Sequence, residues 1–259
     1  MGEHVTVSVD DHGVATVRVD RPPVNALNAA VWEELAGAAS RCADDDAIAS
    51  VVLWGGPRVF AAGADIKAMS GLGFQEMFAQ AGTLQAACSA LARIPKVTIA
   101  AVNGYALGGG CELALTADFR YAAEDATFGQ PEILLGIIPG AGGTQRLLRL
   151  IGVQKAKEMI YSGDLYPAER CHRMGLADRV LPADGVYDEA VAAARRYAKG
   201  PYALRMAKKA IDEGGEIDLD SGLRLETSLF AACFATADRE AGIRSFLEQG
   251  PGKARFTRS

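Results

Sequence analysis

Two glutamates stand in unusual company. Glu112 follows three glycines in the segment Asn103-Gly104-Tyr105-Ala106-Leu107-Gly108-Gly109-Gly110-Cys111-Glu112-Leu113-Ala114, where a buried apolar run gives way to a helix. Glu132 is the only charged residue between Phe128 and Thr144, in an apolar stretch punctuated by glycines. Successive glycines free the backbone to present N–H groups, and a helix N-terminus adds a partial positive charge there. Such a loop suits a developing negative oxygen. A further segment, Phe60-Ala61-Ala62-Gly63-Ala64-Asp65-Ile66-Lys67, is a run of small residues that lets a ligand approach the backbone closely. The cluster Gly140-Ala141-Gly142-Gly143 again precedes a helix and can present N–H groups. Together these give candidate donor loops around Ala64 and Gly109, two carboxylates and no nucleophile. If they converge in space, the set fits proton abstraction or addition next to a carbonyl. Each part also has a plainer explanation. Glu112 can simply complement its helix dipole, Glu132 can be a solvated turn carboxylate, and the small residues can form a tight turn under a helix.

Other chemistries lose their usual support. Gly252-Lys253 is followed by Ala254, and Leu247 stands where a phosphate loop needs its first glycine. A dinucleotide fingerprint starting at Gly108 fails at Leu113. No serine occupies a nucleophile elbow. The three histidines, His4, His12 and His172, have no second ligand at helical spacing, so no metal site is expected. The five cysteines (Cys42, Cys88, Cys111, Cys171 and Cys233) are scattered in apolar surroundings and read as small core residues in a reducing compartment. A formal charge of −5 argues against nucleic acid as a partner. No apolar run approaches the ~20 residues that span a bilayer. Met1-Gly2-Glu3-His4 lacks a basic region followed by an apolar one, so no membrane partner and a cytoplasmic location are expected.

The elements that must position these residues can be read in outline. Val5–Val9 and Val14–Val19 alternate with period two around a turn at Asp10-Asp11-His12-Gly13. Asn28 to Ala43 reads as a helix capped by Asn28, and Ser50–Trp54 and Val97–Val102 read as buried strands. Phe74 to Leu91 has apolar residues at helical spacing, and Phe119–Ala122 is a short strand. This rhythm predicts a parallel sheet with covering helices. From Thr144 onward helices dominate, at Thr144–Leu150, Val153–Tyr161, Pro167–Met174, Asp188–Lys199, Pro201–Glu213, Ser221–Phe234 and Asp238–Leu247. Arg179–Leu181 is the one strand expected there, and Asp238 is expected in or near the last N-cap. Isolated helices of this length are marginal, so the tail needs a surface of its own body or of another subunit.

From Arg21-Pro22-Pro23-Val24-Asn25-Ala26-Leu27 to Phe234-Ala235-Thr236-Ala237-Asp238-Arg239-Glu240-Ala241-Gly242, with the central segments above, the chain resembles the crotonase, or enoyl-CoA hydratase/isomerase, family. The resemblance implies an α/β fold: a crotonase-like spiral of ββα repeats with a helical C-terminal trimerisation region. Residues 1–195 would form the spiral core with the thioester site, and residues 196–259 the oligomerisation region. Self-association to a trimer or a dimer of trimers follows. The implied substrate is an acyl thioester of coenzyme A, and no separate cofactor is needed because coenzyme A is part of that substrate. By resemblance the N–H groups of Ala64 and Gly109 form the oxyanion hole, and the Gly140 N–H helps hold a catalytic water. Val24, Ala26, Ala62, Asp65 and Ile66 match the region that lines coenzyme A. Tyr105, Gly108 and Pro131 join the substrate site, although an aromatic at Tyr105 is also ordinary packing. Lys253 and Phe256 match a tail that neighbours contribute, and Ala68–Gln80 is expected to border the acyl chain. Retention of both Glu112 and Glu132 points to a hydratase that converts trans-2-enoyl-CoA to 3-hydroxyacyl-CoA, with Glu132 as proton donor and Glu112 as base. The alternatives are an isomerase relying mainly on Glu132, or a non-catalytic acyl-CoA binding protein.

Overall fold

The computed structural model describes residues 2–259, and Met1 lies outside them. In chain order the strands are β1 (Val5–Val9), β2 (Val14–Val19), β3 (Ser50–Trp54), β4 (Val97–Val102), β5 (Tyr105–Leu107), β6 (Phe119–Ala123), β7 (Thr127–Gly129), β8 (Leu165–Pro167) and β9 (Arg179–Leu181). The helices are α1 (Ala29–Asp44), α2 (Ile66–Met69), α3 (Phe74–Ala92), α4 (Gly109–Ala114), α5 (Gly143–Ile151), α6 (Val153–Ser162), α7 (Ala168–Met174), α8 (Val186–Ala198), α9 (Ala203–Gly214), α10 (Leu219–Cys233) and α11 (Ala237–Gln249). A short tight helix at Pro131–Leu135 follows β7.

A six-stranded sheet runs in the order β1-β2-β3-β4-β6-β9. Only β1 is antiparallel to its neighbour, through a turn closed by Asp10 Oδ1, which accepts from the N–H groups of His12 and Val14 at 2.9 Å each. The inner strands are near-continuous apolar runs whose residues are buried on both faces, with α8 packed on β3 and β4. Helix α1 starts as expected, with Asn28 Oδ1 accepting from the Val31 N–H at 3.0 Å. Its buried stripe, Val31, Trp32, Leu35, Ala38, Ala39 and Cys42, follows helical spacing.

A three-stranded sheet, β5-β7-β8, stands beside the first. The chain passes through β4 in the large sheet, then β5 in the small one, then α4. It repeats the move through β6, β7 and the tight helix. This is the ββα spiral. Trp32, Phe60, Leu113, Phe128 and Tyr166 are fully buried in its core, each side chain contributing about 1.5–3 kcal/mol on removal from water.

Two expectations need correction. β8 is a second strand in the region after Thr144, and Pro167 ends it instead of starting a helix. Cys233 is only half-buried, unlike the other four cysteines. Asp238 lies near the last N-cap as expected: Thr236 caps α11, its hydroxyl accepting from the Arg239 N–H, and Asp238 in the first turn is buried and accepts from the N–H groups of Tyr202 and Thr257 at 2.8 and 2.7 Å. Helix α3 buries Ala87, Cys88 and Leu91 and leaves Phe74 and Phe78 of its first turns exposed.

Candidate active site

The first donor position is built by two loops laid together. The Leu27 N–H donates to Gly63 O at 2.8 Å, and the Asp65 N–H donates to Leu27 O at 3.0 Å. This is a parallel bridge between Leu27 and Ala64. The residues flanking Ala64 make its bonds, so the Ala64 N–H turns the other way. Arg21 locks the pair from outside, donating to Asp65 Oδ2 and to Ala26 O at 2.8 Å each. That guanidinium, with the Ala68 N–H, holds the Asp65 carboxyl below its ordinary range. Buried Asn25 adds three bonds, to the carbonyls of Gly55, Val59 and Phe60 at 2.7, 3.0 and 3.1 Å.

The second donor position comes from α4. Ala61 bridges to Ala106, its N–H donating to Tyr105 O at 2.9 Å and its carbonyl accepting from the Leu107 N–H at 3.1 Å. This brings α4 against the strand of small residues so closely that a Cβ on Gly110 would collide with the Ala61 carbonyl oxygen. Only glycine fits there. Gly109 is the first residue of α4, and a Cβ built on it would stand 3.8 Å from Ala64 N. Among the described residues no acceptor takes the N–H of Ala64 or of Gly109.

Glu112 lies in the first turn of α4 and is 3% exposed. Its carboxylate does not serve its own helix. Oε1 accepts from the N–H groups of Ala141 and Gly143 at 2.7 Å each, at the N-terminus of α5. Burial pushes its carboxyl above the ordinary value, while these two bonds and the charge of Arg146 pull it back. Glu132 is the second residue of the tight helix. Burial raises its carboxyl to about 7, and the charge of Glu112 adds to the rise. A Cβ on Gly108 would stand 3.0 Å from Glu132 Oε1, which places Glu132 beside the start of α4.

Gln130 holds the Glu132 carboxylate. It is fully buried at the end of β7, and its amide nitrogen, turned as the neighbouring acceptors require, donates to Glu132 Oε1 and Oε2 at 3.1 and 3.2 Å. A Cβ on Gly143 would stand 2.7 Å from the other terminal atom of that amide and 3.0 Å from Glu112 Oε1. The arrangement is two acid/base groups in unequal surroundings, next to two uncommitted N–H donors. Among the described residues no group of three His, Cys, Asp or Glu side chains is placed to hold a metal ion.

A family model described as enoyl-CoA hydratase/isomerase matches residues 10–257. A probable enoyl-CoA hydratase of Mycobacterium bovis is 44% identical over 241 residues, covering 92% of this chain and 93% of that protein. The chain belongs to the enoyl-CoA hydratase/isomerase family. A crotonyl-CoA hydratase of Syntrophomonas wolfei is 41% identical over 239 residues, 91% of this chain and 92% of that one. The crystal structure of an enoyl-CoA hydratase from Bacillus anthracis superposes with a TM-score of 0.91 at 37% identity, covering 95% of this chain and 96% of that chain.

Against this family background, the remaining expected positions fall into two groups. Val24 and Ala62 meet, the Ala62 N–H donating to Val24 O at 3.0 Å, and Ala26 and Asp65 share Arg21. Ile66 opens α2 with its side chain exposed, and Pro131 opens the tight helix directly before Glu132. Gly140 is exposed and precedes the Glu112-binding N–H of Ala141; its carbonyl accepts from Gln85 Nε2 at 3.1 Å. Tyr105 stands apart: its side chain is 49% exposed and makes no hydrogen bond, and only its backbone takes part in the site. Phe256 packs on its own chain, its ring 3.4 Å from where a Cβ on Gly242 would stand. The cluster Gly140–Gly143, read from the sequence as able to present N–H groups, does so at Ala141 and Gly143. Sequence reasoning did not single out Leu27, Gln130 or Arg146; the available signal for Gln130 was position, directly before Pro131-Glu132.

Proposed function

We propose that this chain hydrates trans-2-enoyl thioesters of coenzyme A, reversibly, to 3-hydroxyacyl thioesters. The observation that carries this reading is the nearness of Glu112 and Glu132, each within reach of the other's charge, in environments that divide their roles. Glu112 Oε1 takes two N–H bonds, which favour the ionised form, so it is the base. Glu132 has no cation beside it and titrates at about 7, so it can still hold a proton near neutrality and is the acid. The thioester oxygen sits on the N–H groups of Ala64 and Gly109. One water lies between the carboxylates, steadied by the Gly140 N–H. The water oxygen bonds to C3 as its proton passes to Glu112. The double-bond electrons move toward the thioester oxygen, where the two N–H donors stabilise the developing charge. Glu132 then delivers its proton to C2. Proton exchange with solvent restores the pair. The names of the relatives from Mycobacterium bovis and Syntrophomonas wolfei support the same reaction.

We also infer self-association through residues 196–259. Ile211, Leu219, Phe230, Phe246 and Leu247 on α9–α11 are each at least 60% exposed, more apolar surface than a lone subunit usually leaves in water. The free and mostly buried cysteines fit a reducing compartment such as the cytoplasm. No described helix is long and apolar enough to cross a membrane.

The deciding experiment mixes purified protein with crotonyl-CoA and follows loss of the conjugated-thioester absorbance, with the product identified by mass. Appearance of 3-hydroxybutyryl-CoA supports hydration. An unchanged spectrum over a range of chain lengths overturns it, and conversion of a 3-enoyl thioester alone would make the protein an isomerase.

A further inference from the structure

Arg146, in the first turn of α5, reaches back under the loop that holds Glu112. Its Nη1 donates to Ala141 O at 3.0 Å, and Nη2 lies 3.5 Å from Ser89 Oγ on α3. The loop is folded tightly around it. Gly142 has φ +112°, and a Cβ on that residue would collide with Arg146 Nη1. The N–H groups of Gln145 and Arg146 both donate to Gly142 O, at 3.0 and 2.8 Å. The side chain grips the Ala141–Gly142 peptide unit, which lies between the two units whose N–H groups, at Ala141 and Gly143, hold Glu112 Oε1, and the Arg146 N–H bonds Gly142 O in the second of those units. The side chain is only half-buried and makes no salt bridge among the described residues, so ion pairing does not account for its placement.

We propose that Arg146 is the positioning residue of the catalytic base: it fixes the Ala141–Gly143 loop, sets the direction of the two N–H bonds to Glu112, and favours the ionised carboxylate by its charge. The catalytic part of this inference rests on the hydratase reading above; the effect on Glu112 does not. The titratable groups facing Glu112 are Glu132 from the tight helix, Cys111 from α4, Cys88 from α3 and Arg146 from α5. Glu132 opposes ionisation of Glu112, burial holds both thiols neutral, and Arg146 is the one cation.

The test compares Arg146→Met and Arg146→Lys in the full-length protein. The protonated-carboxyl infrared band that disappears in Glu112→Gln is titrated in each. The midpoint should rise in Arg146→Met, which lacks the charge, and return toward the wild-type value in Arg146→Lys. In the hydration assay Arg146→Met should lose kcat on the order of 10²-fold, with KM little changed, because misplacement of the base acts on the chemical step. Arg146→Lys should restore the acid limb of the pH profile but only part of kcat, since an ammonium cannot grip the loop as a planar fork. An unshifted Glu112 band in folded Arg146→Met overturns the proposal, as does a loss of thermal stability with kcat and pH limb unchanged. Wild-type protein without hydration activity would remove the hydratase reading while the infrared titration still judges Arg146.

Discussion

The two glutamates differ in what surrounds them, and that difference has consequences in both rate and stability. In the proton-donor role proposed for it, Glu132 must be protonated at the start of each turnover, so kcat for hydration should fall as pH rises through about 7. Glu132→Gln should keep acyl-CoA binding and lose about 10²–10⁴ in kcat, measured by steady-state assay beside a binding titration. Near-normal hydration in this variant would sink the assignment. Stability follows the same direction. A carboxyl raised from 4.5 to about 7 binds its proton more tightly folded than unfolded, so the stability it contributes is full below 4.5 and lost as pH rises through about 7. Glu132→Gln cannot ionise, and above that pH it should be more stable than wild type by about 2 kcal/mol, allowing for partial exposure. Thermal unfolding at pH 8 compared with pH 5 reads this directly. Glu112 and Glu132 were legible in the sequence because a charge in glycine-rich apolar company is rare. Gln130 was not, because a neutral amide gives no such contrast and its role depends on where β7 ends. Arg146 looks like any cation on an amphipathic helix until the loop beneath it is seen.

At the scale of elements, the geometry of the candidate site depends on how closely α4 lies on the run of small residues Ala61–Ala64. Gly110→Ala would drive a methyl group into the Ala61 carbonyl oxygen. Because that oxygen belongs to the backbone bonded to Leu107, it cannot swing aside. The variant should lose about 1–3 kcal/mol of stability by overpacking, and the Gly109 N–H should move with the helix, so activity should fall further than unfolding alone explains. Gly37 provides the control. It is exposed within α1, and an added Cβ meets nothing within 4 Å, so Gly37→Ala should stabilise by about 0.5–1 kcal/mol with unchanged kcat. Denaturant melts of both variants distinguish packing at Gly110 from a general cost of losing glycine. The large sheet was readable because its inner strands β3, β4 and β6, five or six residues each, are apolar apart from Ser50, Thr98 and Arg120. The small sheet escaped because β5, β7 and β8 have three residues each, too few to display a period, and β8 sits among helices. What gave the site away was therefore its glycine spacing, while the sheet that aims Gln130 and Glu132 stayed hidden.

For the whole molecule, the outstanding question is what covers α9–α11. Leu219, Phe230 and Leu247 are 75%, 66% and 77% exposed in the single chain. If these faces met only water, exchanging all three for lysine would change stability little, because exposed substitutions away from special features are near neutral. If they meet other copies of the chain, the same exchange places unpaired charges in an apolar interface, where desolvation is costly. The resemblance-based expectation of a trimer or dimer of trimers therefore makes a sharp prediction. Wild-type protein should sediment at a multiple of the single-chain mass, and its unfolding midpoint should rise with protein concentration, as linkage requires of an assembly. The triple variant Leu219→Lys, Phe230→Lys, Leu247→Lys should sediment as a single chain with a concentration-independent midpoint. Its Glu112–Glu132 pair should remain intact, because α4, α5 and the tight helix belong to the spiral and not to the tail. Hydration by the dissociated variant then separates two roles for the tail. Retained kcat with raised KM would mean that neighbours contribute binding surface, whereas a wild-type protein already at single-chain mass would show that these apolar faces serve some purpose other than self-association.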